Sequence, residues 1–239
     1  MKYLTSLVVF LFLGIISSNI SYSQCTEDGV NCGIWNSGYF VYQDTLNFPG
    51  CDILIGYGIK VCNGITYFRL EYIACDGQDT ACDAFLDFLL PYGLGNWADG
   101  NRLAMIWRAA FAWYANQWIN LADPPHKPCP GPPYYWIKTV LPGGCAAVQY
   151  ATRPYDASHH GQPTIHFKYA KCENSGCCIT EIPYCWNGTT WQAQAPVTTQ
   201  IISSDCTNLQ PIENPFIYYG LEWTVYPQGP CKKSCYIAN

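Results

Sequence analysis

With 239 residues, of which 49% are apolar and only 12% charged, the chain has enough material for a sizeable core and too little charge for a disordered one. A net charge of −5 at pH 7 provides no basic face, which argues against nucleic acid as a partner. The distinctive load is 15 Cys, 9 Trp and 19 Tyr, a composition that points to an exported, disulfide-bonded, β-rich protein.

Residues 1–23 read as a signal peptide. Lys2 is the sole charge, an apolar run from Leu7 to Ile16 follows, and Ser21-Tyr22-Ser23 places small residues where a signal peptidase needs them. The run is too short to span a bilayer, and no later stretch is long enough to do so. Gln24 is not the small residue that a lipid anchor on Cys25 requires. Residues 24–239 are expected to form a single disulfide-rich α+β unit, with antiparallel hairpins and sheets and two helices in its N-terminal half.

Between Cys51 and Cys75, Asn63-Gly64 is a strong hairpin signal between two strand-like runs. A two-residue turn pairs Cys62 with Ile65. Ile53, Ile55, Tyr57, Ile59 and Val61 then face Ala74, Tyr72, Leu70, Phe68 and Thr66 on one apolar face. The other face carries Lys60, Arg69 and Glu71, with Gly56 and Gly58 opposite the two long charged residues of the second strand.

Two helices follow. Asp79 caps Thr80 to Leu90, stopped by Pro91; Asp99 or Asn101 caps a longer helix from about Arg102 to Leu121, ended by Asp123-Pro124. Trp107, Phe111, Tyr114 and Trp118 recur at helical spacing and are expected in the core, while Arg108, Asn116 and Gln117 exclude a membrane span. Residues 123–133 hold six prolines and must run extended, forming a seam within the unit. Beyond it, strands are expected at Tyr134–Val140, Ala146–Thr152, Thr164–Ala170, Ile179–Trp186 and Thr190–Ile202. Asn187-Gly188 turns a second hairpin that puts Tyr184 and Trp186 on one face with Trp191, either tightly or through a longer Asn-Gly-Thr-Thr loop. Pro183 suggests an edge position. The glycosylation acceptor pattern Asn187-Gly188-Thr189 implies an exposed turn.

The disulfide candidates are Cys25, Cys32, Cys51, Cys62, Cys75, Cys82, Cys129, Cys145, Cys172, Cys177, Cys178, Cys185, Cys206, Cys231 and Cys235. An odd count leaves one over, and Cys25, beside the expected new N-terminus, is the candidate; exposed there, its thiol would suit joining two copies. Neighbouring Cys177 and Cys178 are expected to bond different, distant partners. Cys172, Cys177, Cys178 and Cys185 lack the paired CxxC spacing of a zinc site, and Cys231-Lys-Lys-Ser-Cys235 has no second knuckle. His159, His160 and His166, with Asp156, could surround a metal, but their spacing matches no ligand motif. A polar loop entering a strand, with His166 facing outward, is the plainer expectation. No nucleophile elbow and no Gly-rich phosphate loop is present, so no cofactor is expected. Glu71, Glu181 and Glu222 read as exposed-face carboxylates, although paired carboxylates for glycoside hydrolysis converge in space and not in sequence.

The hairpin segment Cys51…Cys62-Asn-Gly, the run Lys171-Cys-Glu-Asn-Ser-Gly-Cys-Cys178 and the ending Cys231-Lys-Lys-Ser-Cys235 resemble uncharacterised cysteine-rich secreted proteins of bacteria. That resemblance implies compartment and disulfides, and no mechanism. The leading expectation is a secreted, non-catalytic protein that binds, adheres or builds a surface assembly, with an extracellular glycan or protein surface as partner. The alternative is a secreted hydrolase acting on polysaccharide or peptide.

Overall fold

In a computed structural model, residues 34–141, 145–154, 164–173, 177–201, 206, 210–211, 215–216, 220 and 222–233 are described. Asn63 and Gly64 take φ of 49° and 75°, the left-handed pair that a tight hairpin turn requires. They join β2 (Ile53–Cys62) to β3 (Ile65–Cys75) with Cys62 opposite Ile65. The expected register holds from there to Tyr57 opposite Leu70, with Lys60 opposite Tyr67 and Gly58 opposite Arg69.

Beyond Tyr57 the expectation is corrected. Gly56 pairs with Tyr72 and Ile55 with Ile73, leaving Glu71 as the extra residue of a β-bulge. The apolar pattern explains it. Phe68 and Leu70 are buried on even positions, Ile73 and Cys75 on odd ones, and only a bulge lets both pairs reach the core face. Gly56 therefore lies against Tyr72 and not Glu71; a Cβ there would meet the Tyr72 ring.

One sheet holds the described strands. β1 (Asn36–Tyr42), for which the sequence reading had no strand, pairs antiparallel with β2. The far edge of β3 is shared. Residues Thr66–Arg69 pair in parallel with β4 (Tyr135–Leu141), and Ile73–Cys75 pair antiparallel with β6 (Ile165–Lys171). The sheet therefore forks. One branch continues from β4 to β7 (Cys177–Trp186), then to β8 (Trp191–Ala193) and β9 (Val197–Ile201). The other runs from β6 to β5 (Cys145–Thr152), edged by β10 (Thr224–Val225) and β11 (Lys232–Lys233).

The expected strand Thr190–Ile202 is thus divided, because Pro196 has no N–H to continue a ladder. The second hairpin uses the longer loop, with Trp186 opposite Trp191 and Asn187 N–H donating to the Thr190 carbonyl. Pro183 is not at an edge. It sits inside β7 between the stretches paired with β9 and β8, where no N–H is demanded of it.

Asp79 caps as expected, but the first turn Thr80–Cys82 is a 3₁₀ helix and α1 covers only Asp83–Leu89. Helix α2 (Gly100–Ala122) is capped by the Asp99 carboxylate, which accepts from the N–H groups of Asn101 and Arg102, and stops at a left-handed Asp123. Trp107 and Phe111 are buried, and Tyr114 and Trp118 pack against the same core. Phe68 lies under the helix, its ring 5.1 Å from Phe111 and 5.7 Å from Trp118. Tyr169 on β6 ties the helix start through its hydroxyl to the Gly100 carbonyl at 2.9 Å.

Disulfides join Cys51 to Cys82, Cys129 to Cys185, Cys145 to Cys206, and Cys172 to Cys231; Cys62 and Cys178 are also half-cystines. The Pro-rich seam lies within the unit Cys32–Asn239 and is tied to β7 by Cys129–Cys185 and by His126, which stacks 3.8 Å from the Trp186 ring. Cys75 corrects one expectation: it is a free thiol, wholly buried in β3, where burial raises its pKa and keeps it protonated. With Cys75 unpaired, the odd count no longer needs a leftover cysteine near a terminus. Residues 1–23, Cys25, Cys32 and Cys235 lie outside the described residues, as does the side chain of Cys177. No helix among the described residues is long and apolar enough to cross a membrane.

Candidate functional site

The two faces of the sheet differ in chemistry. Alternation along β6 sends Phe167 and Tyr169 toward α2 and His166, Lys168 and Ala170 to the opposite, outer face. On that outer face cations rest on aromatic rings: Lys60 and Arg69 lie 4.5 and 4.7 Å from the Trp35 centroid, Arg153 lies 5.4 Å from Trp223, and Lys168 lies 5.3 Å from Phe216. Glu71, brought outward by the bulge, contacts Arg69 at 3.3 Å and accepts from the Ser37 hydroxyl at 3.1 Å.

His166 faces outward as expected and stacks on Tyr72, centroids 5.2 Å apart, with Trp223 beside it. Burial, with the positive charges of Lys168 and Arg153 next to it, lowers its pKa to about 4. A neutral imidazole between two aromatic rings and two cations is a packing element. His159, His160 and Asp156 lie outside the described residues, and no metal-holding cluster occurs among the described ones. Glu181 pairs with Lys138, and Glu222 is exposed. Asn187 and Thr189 occupy an exposed loop.

Two concavities flank α2 on opposite sides. Toward β1, an open groove of about 640 Å³ is lined by Val41 to Leu46 and by Trp113. Trp113 is 42% exposed, and Val41 and Leu46 are exposed beside it. Trp113 is held from beneath by Phe40 at 5.9 Å and Tyr42 at 6.0 Å. Phe40 in turn stacks flat on Tyr114, 4.1 Å away. The polar group of the groove is Asp44, which accepts from the Leu46 and Asn47 N–H groups and from the Asn47 amide. Although burial opposes it, these hydrogen bonds hold the Asp44 carboxyl below its ordinary pKa.

Toward β4 and β7 lies a second cavity of about 430 Å³, between the first half of α2 and the sheet. Met105, Trp107, Arg108, Ala109, Phe111 and Ala112 line it from the helix; Thr139, Thr180, Ile182 and Pro196 complete it. It exists because the helix flank here carries alanines, opposed by the cross-strand pair Thr139–Thr180. Met105, Ala109, Ala112 and Pro196 are themselves exposed, so the space opens to solvent along the helix flank. Arg108 carries the single charge among the lining residues and donates to the Thr198 hydroxyl at 2.8 Å, which lies 3.1 Å from that of Thr180.

The sequence reading identified the buried stripe of α2 and missed both concavities. The run Tyr39-Phe40-Val41-Tyr42, aromatic and β-branched, was the available signal for β1. Ala109 and Ala112, two of the six alanines of α2, were the signal for the cavity. No protein-family model, curated protein or solved structure matches the chain.

Proposed function

We propose that this is a secreted, disulfide-stapled, non-catalytic protein that binds an extracellular glycan or protein surface through the groove between β1 and α2. The observation that carries the reading is the exposure of Trp113, Val41 and Leu46, which line that groove. Among the described strands β1 pairs with β2 alone, so the groove lies along a sheet edge. Exposed apolar edge strands invite association, and clustered aromatics with a polar handle are the common currency of binding surfaces. The supporting rings Phe40, Tyr42 and Tyr114 fix Trp113 in place, which reduces the entropy lost when a partner docks.

The test uses the processed protein recovered from culture medium, with N-terminal sequencing expected to begin at Gln24. Retention on insoluble polysaccharides and on intact cell surfaces is compared with that of Trp113→Ala and Leu46→Ser, two exposed groove residues. The expected result is a loss of retention of about tenfold or more, typical of a lost aromatic anchor, with an unchanged melting temperature. Equal retention of the variants would overturn the groove reading. Release of reducing ends or peptides from the same materials would favour the hydrolase.

A further inference from the structure

We propose that two copies of this chain associate through β1, edge to edge and antiparallel, so that their sheets run on as one. The proposal rests on the reading of the β1–α2 groove as a binding site, and it names the protein partner as a second copy. Among the described strands β1 pairs with β2 alone, and an open edge presents a row of backbone N–H and C=O groups. The devices that usually blunt such an edge are missing here. From Ile34 to Gln43 there is no charged residue and no proline, and β1 meets β2 in one unbroken register. Exposed apolar side chains also collect along this edge: Ile34, Tyr39, Val41, Leu46 and, from α2, Trp113. Grouped apolar exposure of this kind marks an association surface.

The strand is its own complement. A two-fold axis through Tyr39, the middle residue of Asn36–Tyr42, sets Tyr39 opposite Tyr39 of the second copy and Asn36 opposite its Tyr42. Alternation sends Phe40 and Tyr42 to the core and Tyr39 and Val41 to the outer face. The two Tyr39 side chains, each 67% exposed in a single chain, therefore meet on the outer face as a cross-strand aromatic pair. No like charges face each other along this seam, although the chain as a whole carries a net charge of −5. On the α2 side, Ile34 continues the parity of Phe40 and Tyr42 and is 87% exposed. Pairing Asn36 with Tyr42 of the second copy carries Ile34 alongside the Val41 to Leu46 lining of that copy's groove. One symmetric pairing thus supplies an occupant for both grooves. A foreign extended peptide would use the same backbone groups, but only a second copy presents Ile34 to the groove and Tyr39 to Tyr39.

The test is sedimentation velocity of the full secreted chain over a concentration series. One strand pair with its flanking contacts makes a small interface, so half-association is expected at roughly 10–100 μM. Tyr39→Lys sets two cations face to face on the axis and should weaken self-association about tenfold or more. Tyr39→Glu should do the same. An equimolar mixture of the two variants should associate about as the wild type does, because the axis places residue 39 against residue 39. Ile34→Ser should weaken association about tenfold, the loss expected of an apolar anchor. All three variants should keep the wild-type melting temperature at low concentration, since both side chains are exposed. Undiminished association of Tyr39→Lys, or a mixture that recovers nothing, would overturn the proposal. So would a wild type that stays monomeric throughout; if Trp113→Ala still abolished retention on polysaccharide or cell surfaces, a foreign glycan or protein would be left as the groove's occupant. Retention unchanged in Trp113→Ala, with self-association lost in Tyr39→Lys, would remove the foreign-surface reading alone and leave the second copy in place.

Discussion

One face of the sheet is covered by a helix and the other by irregular chain, and the two covers are held in different ways. Under α2 the contacts are mainly large and apolar: Phe68, Trp107, Phe111, Phe167 and Tyr150 are buried together, in a core that also holds the Cys51–Cys82 disulfide. On the outer face a second, smaller core consists of Cys145, Ala147, Ala170, Cys172, Cys206 and Cys231, which is two disulfides around two alanines. A 23-residue helix presents a continuous stripe of side chains and satisfies its own backbone. Among the described residues the C-terminal segment pairs through two residues in each of β10 and β11, with single backbone bonds from Tyr226 to Tyr150 and from Gly229 to Val148. Covalent closure, which acts mainly on the unfolded chain, replaces burial where burial is small. Cations of the outer face also lie over aromatic planes, with Arg69 paired to Glu71 as well.

Removing Phe68 tests the helix-covered side most severely. Phe68→Ala should cost about 3–5 kcal/mol in urea unfolding, because the ring is fully buried beneath α2 and the neighbouring rings cannot all collapse into the space. On the outer side, replacing Cys172 and Cys231 together by Ala should cost about 2–5 kcal/mol, as expected for opening a loop that spans 59 residues. The loss should appear first as faster amide exchange in β10 and β11, with α2 still protected. Simultaneous loss of protection in α2 would show that the two covers are not separable.

Gly56→Ala should cost about 1–3 kcal/mol, since the added methyl would lie 2.2 Å from the Tyr72 ring and would force that ring off His166. Near-UV circular dichroism should register the displaced stack. The smallest effect at neutral pH concerns His166. Its folded pKa of about 4 lies below the ordinary 6.5. As pH falls through that window the unfolded chain takes up the proton before the folded one does, so stability is full above 6.5 and declines toward pH 4. The difference in melting temperature between wild type and His166→Gln should be constant above pH 7 and shift against the wild type on acidification. A pH-independent difference would show that the imidazole titrates normally.

Much of this architecture was legible in the residues themselves. Asn63-Gly64 set the turn and the first pairs of β2 and β3, Asp79 and Asp99 marked both helix starts, and the spacing of Trp107, Phe111, Tyr114 and Trp118 marked the face of α2 that turns inward. These are local signals, in which a side chain acts on backbone within a few residues of itself. The bulge at Glu71 was written in the switch of apolar phase between Leu70 and Ile73, yet a uniform register conceals it. The break at Pro196 and the interior place of Pro183 required knowing which strands pair with β7.

The cysteines show the limit most plainly. Their number is a property of composition, and an odd count leaves at least one thiol unmatched within the chain. Cys75, the free thiol among the described cysteines, is carried by β3 into the core, where Cys51, Cys145 and Cys172 are as deeply buried but paired. The two concavities lie at the same limit. Each is bounded by segments distant in the chain, Trp113 with Val41, and Arg108 with Thr180 and Pro196. A sequence determines which side chains prefer burial, because that preference belongs to the residue. Where space is left between buried layers is a property of their meeting, and only the tertiary structure decides it.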